Sequence, residues 1–285
     1  MSSELIKAMP RLNIVALLVG DPHALELYAL KSLHSVAGKL MVVRAESGSG
    51  VSARKRLKRL VRDHGIVKVA SRILGGKLIG NLQERRELEE LECLLDGKYL
   101  RDWWDDCHIE PITVPHLNHG LARSVIAELQ PDIIVRVSGG ILKRETFGLA
   151  RITALNIHHG MAPLIRGMWS IPWGIVEGRS DWIGATVHEI DDGIDTGKVF
   201  WRGSPQIAPG DTGTKLFFRA HLEAVEHLVR LIESYDRDET PVTWISHELE
   251  GSEYRSAPGL AAWIRFLLLS RGKYSPAILR GALKC

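Results

Sequence analysis

Three side chains in the middle of this chain have the acid–base character that acyl transfer needs. Asn156 and His158 are two residues apart in the run LNIHHG, and Asp195 lies in the later run DDGIDTG. An imidazole titrates near neutrality and takes or returns a proton as a tetrahedral centre forms and collapses. A carboxamide N–H, with an imidazolium beside it, stabilises a developing oxyanion. A carboxylate holds the imidazole charged or assists the proton's passage. No serine or cysteine nucleophile stands beside them, which favours direct transfer to an incoming amine over a covalent enzyme intermediate. Two other readings stay open. An isolated Asn-x-His at a strand end is more often structural than catalytic. His158, His159 and His188 with the aspartates are also types that ligate zinc or iron, though no HExxH-like spacing supports a metal.

The elements that must position these residues follow from hydrophobic pattern. A short apolar run over 152–157 predicts a strand ending in Asn156 and His158, followed by a sharp turn through Gly160 and Pro163. Residues 184–190 alternate and β-branch like another strand, which puts His188 inward with Thr186 and feeds the 191–197 loop. Strand ends are where open α/β sheets place their sites. Upstream, 12–19 is a continuous apolar run typical of a buried parallel strand. Helix 24–35 and strand 39–44 complete a βαβ unit. Its first loop, GDPHA, is neither GxGxxG nor GxxxxGK[ST], so no phosphate cradle is expected there. A strand over 109–114, a helix over 120–129, a strand over 133–137, helices over 143–149 and 171–177, and a long helix over 216–234, with Gly210-Asp211-Thr212 reading as its start, follow.

The fold class expected is α/β, a Rossmann-like, mostly parallel sheet. Residues 51–106 read as a helical insertion with a basic half at Arg54–Arg62 and an acidic half at Leu82–Leu95, separated at Gly75-Gly76 and Gly80-Asn81. The opposite charges suggest helices that pack together, with a docking face for an anionic partner as the alternative. The catalytic domain is expected over 12–235. Residues 236–285, with Pro241, Pro258 and Pro276, read as a short C-terminal extension whose amphipathic segment 260–269 a homodimer could bury.

Composition bounds the setting. Of 285 residues, 45% are hydrophobic and 25% charged, and the formal charge of +3 does not demand a nucleic-acid or membrane partner. Cys93, Cys107 and Cys285 form no CxxC or paired framework, which suits a reduced cytoplasmic compartment. No run approaches the roughly 18 apolar residues of a membrane span. Lys7 and Arg11 flank no apolar core of a secretory leader.

Taken together, Asn156, His158, Pro163, Arg166 and Gly167, then Thr186, His188, Asp191 or Asp192, Asp195 and Gly197, resemble the ordered motif of the folate-dependent formyltransferases. The resemblance spans about 12–235, interrupted by the insertion. It implies Asn156, His158 and Asp195 as the catalytic trio and N10-formyltetrahydrofolate as cosubstrate. It further implies a pterin pocket walled by Gly139, Gly140, Ile141 and Leu142 on one side and Asp191, Gly193 and Ile194 on the other. Arg166, Trp173 and His188 become expected acceptor-side residues, Arg166 either binding an anionic group or capping its turn. The departures are Gly160-Met161-Ala162 in place of Ser-Leu-Leu and the extra His159. The first loop and the absence of a second β-rich domain argue against the purine and transfer-RNA members. The expected acceptor is therefore a small-molecule amine, an amino sugar or an amino-acid-derived metabolite. The alternatives are a hydrolase using water, whose usual leading regulatory domain residues 1–11 do not supply, and a non-catalytic folate- or RNA-binding protein docking through Arg54–Arg62.

Overall fold

The computed structural model describes residues 11–46, 53–208, 211–237, 239 and 251–270. Lys7, Gly210, Pro241, Pro276 and Cys285 lie outside the described residues. The centre is a seven-stranded sheet in the order β3-β2-β1-β4-β5-β7-β8. Its strands are β1 (Asn13–Val19), β2 (Lys39–Ala45), β3 (Ile112–Val114), β4 (Ile133–Arg136), β5 (Thr153–His158), β7 (Ala185–Glu189) and β8 (Val199–Gly203). From β3 across to β5 the neighbours run parallel; β7 and β8 are antiparallel. Order 3-2-1-4 reverses direction between β1 and β4, so the carboxyl ends of β1, β4 and β5 border the crevice where α/β sheets open a site. This is the mostly parallel α/β sheet expected from the apolar runs.

Each face of the sheet is covered. On one face α1 (Ala24–His34) and α9 (Gly213–Asp236) bury Leu30, Leu33, Ala224 and Leu228 against Ile14, Leu155 and Val187. On the other, Ala122 and Ile126 of α6 (Gly120–Leu129) pack on Val15, Leu17, Ile134 and Ala154. The long helix α9 begins because Thr212 caps it, its Oγ1 accepting from the Lys215 amide at 3.1 Å. The cap is the Thr212 that ends the run read from sequence as the helix start.

The insertion is helical, but its glycines do not divide it. Helices α2 (Ala53–His64) and α3 (Ile66–Gly75) lead through a π-helical turn (Gly76–Gly80) directly into α4 (Asn81–Leu94), followed by α5 (Gly97–Asp106). Gly75 and Gly80 are used for close packing: a Cβ on Gly75 would meet the Leu260 backbone at 2.8 Å, and one on Gly80 would touch Trp263 at 3.4 Å. The insertion therefore leans on the rest of the chain, α5 on α1, α3 on α10 (Leu260–Ser270) and α4 on α9.

The described part of the C-terminal extension differs from a loose appendage. A short strand β9 (Glu253–Arg255) pairs in parallel with β6 (Ile165–Gly167), forming a second, two-stranded sheet. Trp263 and Phe266 of α10 are buried with Ile171, Ile175 and Leu216. The core-facing side of this amphipathic segment is thus covered by the chain itself, while Ile264 and Leu268 stay exposed. Three-residue strands carry too little pattern to be read from sequence.

Behind the site, His159 and His221 form a buried pair, with Nε2 of His159 3.0 Å from Nδ1 of His221. Nε2 of His221 donates to the Leu25 carbonyl at 3.3 Å, which leaves its Nδ1 to accept from His159. Burial lowers both pKa values, that of His221 to about 4. A base whose folded pKa is depressed binds its proton more readily when unfolded, so stability is lost as pH falls from the ordinary imidazole value of 6.5 toward about 4. The slope is at most about 1.4 kcal/mol per pH unit for one proton. Urea titrations at pH 7, 6 and 5 are expected to show this loss, with a shallower slope in His221→Asn; an unchanged slope would contradict it.

Candidate active site

Strand register assembles the site. Arg136 on β4 lies opposite Asn156 on β5, and Asn156 lies opposite His188 on β7, so the three stand in one row across neighbouring strands. His158 is two residues beyond Asn156 and so shares its face. A bulge between β7 and β8 at Val187/His188 re-aims the last member of the row. Asn156, His158 and His188 are all buried.

The row also fixes hydrogen positions. Nε of Arg136 can only donate, and it donates to Oδ1 of Asn156 at 2.9 Å. The Asn156 carboxamide must then present its Nδ2 to Nε2 of His188, 2.9 Å away. His188 Nδ1 donates to the Glu189 carbonyl at 2.7 Å, which leaves Nε2 as the ring nitrogen facing Asn156. Nη1 of Arg136 also donates to the carbonyls of Gly139 (3.2 Å) and Gly140 (3.0 Å), tying the glycine loop to the row. Burial pulls the Arg136 pKa down from 12.5 and the Asp195 carboxylate opposes that, leaving the guanidinium charged.

Asp195 reaches in from the 191–197 loop. Its Oδ2 is 3.4 Å from His158 Nδ1, its Oδ1 is 3.5 Å from His188 Nε2, and the Gly167 amide donates to Oδ2 at 3.0 Å. Burial pushes its carboxyl up, but the imidazoles of His158 and His188 and that amide outweigh it and hold the group well below the usual carboxylate range. Asp195 has φ 51, a left-handed conformation that aspartate tolerates better than most side chains. For His158, burial lowers the pKa and the Asp195 charge only partly restores it. Its Nε2 donates to the Ile165 carbonyl at 3.2 Å. The arrangement is a neutral imidazole poised to take a proton, with an ionised carboxylate waiting for the imidazolium.

The turn after His158 is clamped from β7. Oγ1 of Thr186 donates to the Gly160 carbonyl at 2.7 Å and accepts from the Ala162 amide at 3.0 Å. Gly160 has no room for a side chain, since a Cβ there would lie 2.6 Å from both His158 Nε2 and Ser170 Oγ.

Of the residues expected at the pterin pocket, Ile141, Leu142, Asp191, Gly193 and Ile194 line one cleft with Arg136, Asn156, His188, Ile190 and Asp195. Ile141, an isoleucine 60% exposed, stands at its rim. Gly139 makes the tight turn that carries this loop, at φ 112. Asn118 pins the loop by donating to the Ile141 carbonyl at 2.9 Å and accepting from the Lys143 amide at 2.8 Å. The Asp191 carboxylate is engaged in shaping its own loop, accepting from the Gly193 amide and from Thr196 Oγ1 at 2.8 Å. Asp192 pairs with Arg144.

Three expected acceptor-side residues do other work. His188 is inside the polar row. Arg166 braces the scaffold, its Nε donating to Ser252 Oγ at 2.8 Å and its Nη1 to the Ile194 carbonyl at 3.3 Å. Trp173 is turned toward the C-terminal segment, its indole N–H donating to the Ser256 carbonyl at 2.9 Å, away from the trio. Arg136 is the site residue that pattern reading passed over; an arginine interrupting the buried strand IIVRV was the available signal. Among the described residues, no group of three His, Cys, Asp or Glu side chains is placed to hold a metal ion.

A polar row thus stands at the strand ends of a mostly parallel α/β sheet, closed by a carboxylate loop. Residues 117–232 match the formyl transferase family model. The chain is 31% identical over 136 residues to a methionyl-tRNA formyltransferase of Anaeromyxobacter dehalogenans, covering 46% of this chain and 43% of the relative. A methionyl-tRNA formyltransferase of Agathobacter rectalis is 29% identical over 120 residues, covering 41% and 38%. The chain thus spans less than half the length of these curated relatives. In fold it resembles a variant of HypX from Aquifex aeolicus, with a TM-score of 0.50 at 14% identity, over 88% of this chain and 31% of that one.

Because Gly160 sits against His158, Gly160→Ala is expected to cost about 1–3 kcal/mol by urea denaturation. The same measurement should find Gly140→Ala within about 0.5 kcal/mol of the parent, since a Cβ at Gly140 meets nothing within 4 Å. Equal stability of the two variants would contradict the close approach.

Proposed function

We propose that the chain transfers a formyl group from N10-formyltetrahydrofolate to the amine of a small-molecule acceptor. The observation that carries this is the Asn156–His158–Asp195 constellation, of which Asn156 and Asp195 line a cleft and His158 lines a cavity. Ile141, Leu142, Ile190 and Ile194 give the cleft apolar walls, and Asn156 and His188 give it polar edges. The family match over 117–232 supports the same reading. The unpaired thiols of Cys93 and Cys107 support a reducing, cytoplasmic setting. Among the described residues no helix is long and apolar enough to cross a membrane.

The cosubstrate supplies an electrophilic formyl carbon, so that a bond to the acceptor nitrogen forms as the bond to N10 breaks and one proton passes from the amine to N10. His158 takes that proton as a neutral imidazole. Asp195, already ionised, stabilises the imidazolium and holds the ring. Asn156, its oxygen committed to Arg136, has only N–H groups to offer toward a developing negative charge. Arg136 adds a fixed positive charge at the same end of the sheet.

Tetrahydrofolate release, followed by absorbance with and without amines, tests the assignment. His158→Asn, Asn156→Ala and Asp195→Asn are expected to keep the fold by circular dichroism and to lower turnover by about 10²–10⁴-fold. Near-normal turnover in all three would overturn the trio, and release without amine would instead mark a hydrolase.

The depressed His158 pKa sets the pH profile. Activity should persist down through pH 6.5 and fall only below that ordinary imidazole value. Because the Asp195 charge raises this pKa, Asp195→Asn should move the acid limb of kcat/KM lower still. A limb that moves upward would contradict the pairing.

A further inference from the structure

Asn156 lines the cleft, yet nothing in its carboxamide alone decides which end lies where. A carboxamide has a donor end and an acceptor end of nearly equal size, so its neighbours decide which way it lies. Here the two side-chain neighbours are unlike. His188 presents Nε2 to Nδ2 at 2.9 Å, and an imidazole nitrogen accepts or donates according to where its proton sits. Arg136 presents Nε to Oδ1 at 2.9 Å, and a guanidinium can only donate. The arginine is therefore the partner that removes the choice. With Oδ1 turned to Arg136, Nδ2 lies toward His188 and carries two hydrogens, one more than that single nitrogen can take.

The same guanidinium reaches the glycine loop, Nη1 donating to the carbonyls of Gly139 at 3.2 Å and Gly140 at 3.0 Å. That loop has other ties. Ser138 Oγ accepts from the Val19 amide at 3.1 Å, and Asn118 bonds the Ile141 carbonyl and the Lys143 amide. Removing the guanidinium thus leaves the loop held on both sides, while Asn156 loses the partner that orients it.

Resting on the formyl-transfer reading, we propose that Arg136 is a positioning residue, which holds the Asn156 carboxamide with its N–H groups toward the developing negative charge and acts on the transfer through Asn156. Turned over, the carboxamide would set an oxygen lone pair against that charge, and a stabilising donor would become a repulsion. A guanidinium at the end of an otherwise apolar strand is costly to desolvate. Its place there is explained by what its donors hold, one carboxamide and one turn.

The test compares Arg136→Gln with Arg136→Lys in the full chain, with folding checked by circular dichroism. Glutamine both donates and accepts, so it no longer dictates the direction of the carboxamide; lysine, like arginine, only donates. Transfer is followed with N10-formyltetrahydrofolate and hydroxylamine as the probe amine. Arg136→Gln is expected to lower kcat about 10–100-fold while the KM for the folate stays within about threefold, because a misaimed group costs rate more than binding. Arg136→Lys should exceed Arg136→Gln in kcat by at least about threefold. In an Asn156→Ala background the Arg136→Gln change should alter kcat by less than about twofold. The orientation itself is read by NMR with ¹⁵N-labelled asparagine. The Nδ2 signal of Asn156, identified by its loss in Asn156→Ala, should be one proton pair in the parent and should split or broaden in Arg136→Gln. A signal unchanged in Arg136→Gln, or an equal loss of kcat in the Asn156→Ala background, overturns the inference and leaves formyl transfer standing. Folate turnover that is the same in the parent and in His158→Asn overturns the formyl-transfer reading instead, and the labelled amide still decides the orientation.

Discussion

Everything at this site depends on the register that sets Arg136, Asn156 and His188 side by side on three neighbouring strands. A one-residue slip in any of these strands would turn its member of the row to the opposite face, because side chains alternate with a period of two. The register is secured by burial on both faces, with Leu155 and Val187 in one core and Ile134 and Ala154 in the other. Once the row is set, the chemistry of the donors does the rest. A guanidinium has no lone pair to offer, so the carboxamide has one orientation and turns its Nδ2 toward His188. The site is therefore ordered before any ligand arrives, which is what electrostatic stabilisation of a transition state requires.

The second constraint is the carboxylate loop, whose position the sheet alone does not specify. Asp195 is held from behind by the Gly167 amide, on β6, and β6 is in turn paired with β9 from the C-terminal segment. Arg166 links that segment to the loop through Ser252 and the Ile194 carbonyl. Arg255 reaches Glu177 at the end of α8 (Ser170–Glu177), with 3.0 Å between Nη2 and Oε2. Ser252 and the β9 strand thus support the Asp195 carboxylate although neither belongs to the trio. Trp173 and Arg166, read from the motif as acceptor-side residues, belong to this bracing.

Much of the sheet and the trio's neighbourhood was legible in the chain because the signals were local. A continuous apolar run marks a buried parallel strand, and Asn156, His158 and the DDGIDTG run sit at the ends of such segments. What escaped depended on contacts between distant segments. The β6–β9 pair joins two three-residue strands about 90 residues apart, too short to show a period. The glycines at 75, 76 and 80 read as breaks because glycine favours turns, yet at 75 and 80 they admit the C-terminal helix closely, and the chain stays helical through a π-turn. Arg136 had a signal, a charge inside an apolar strand, but its partners are fixed only by the register of β4 against β5.

The central claim is that the buried trio moves a one-carbon unit onto a nitrogen. The most direct measurement follows a ¹³C label in the formyl group of N10-formyltetrahydrofolate by NMR during a single turnover with an amine present. The account predicts that the label appears as a formamide on the amine nitrogen, with tetrahydrofolate formed in equal amount. Label appearing as free formate, at a rate independent of the amine, would contradict it.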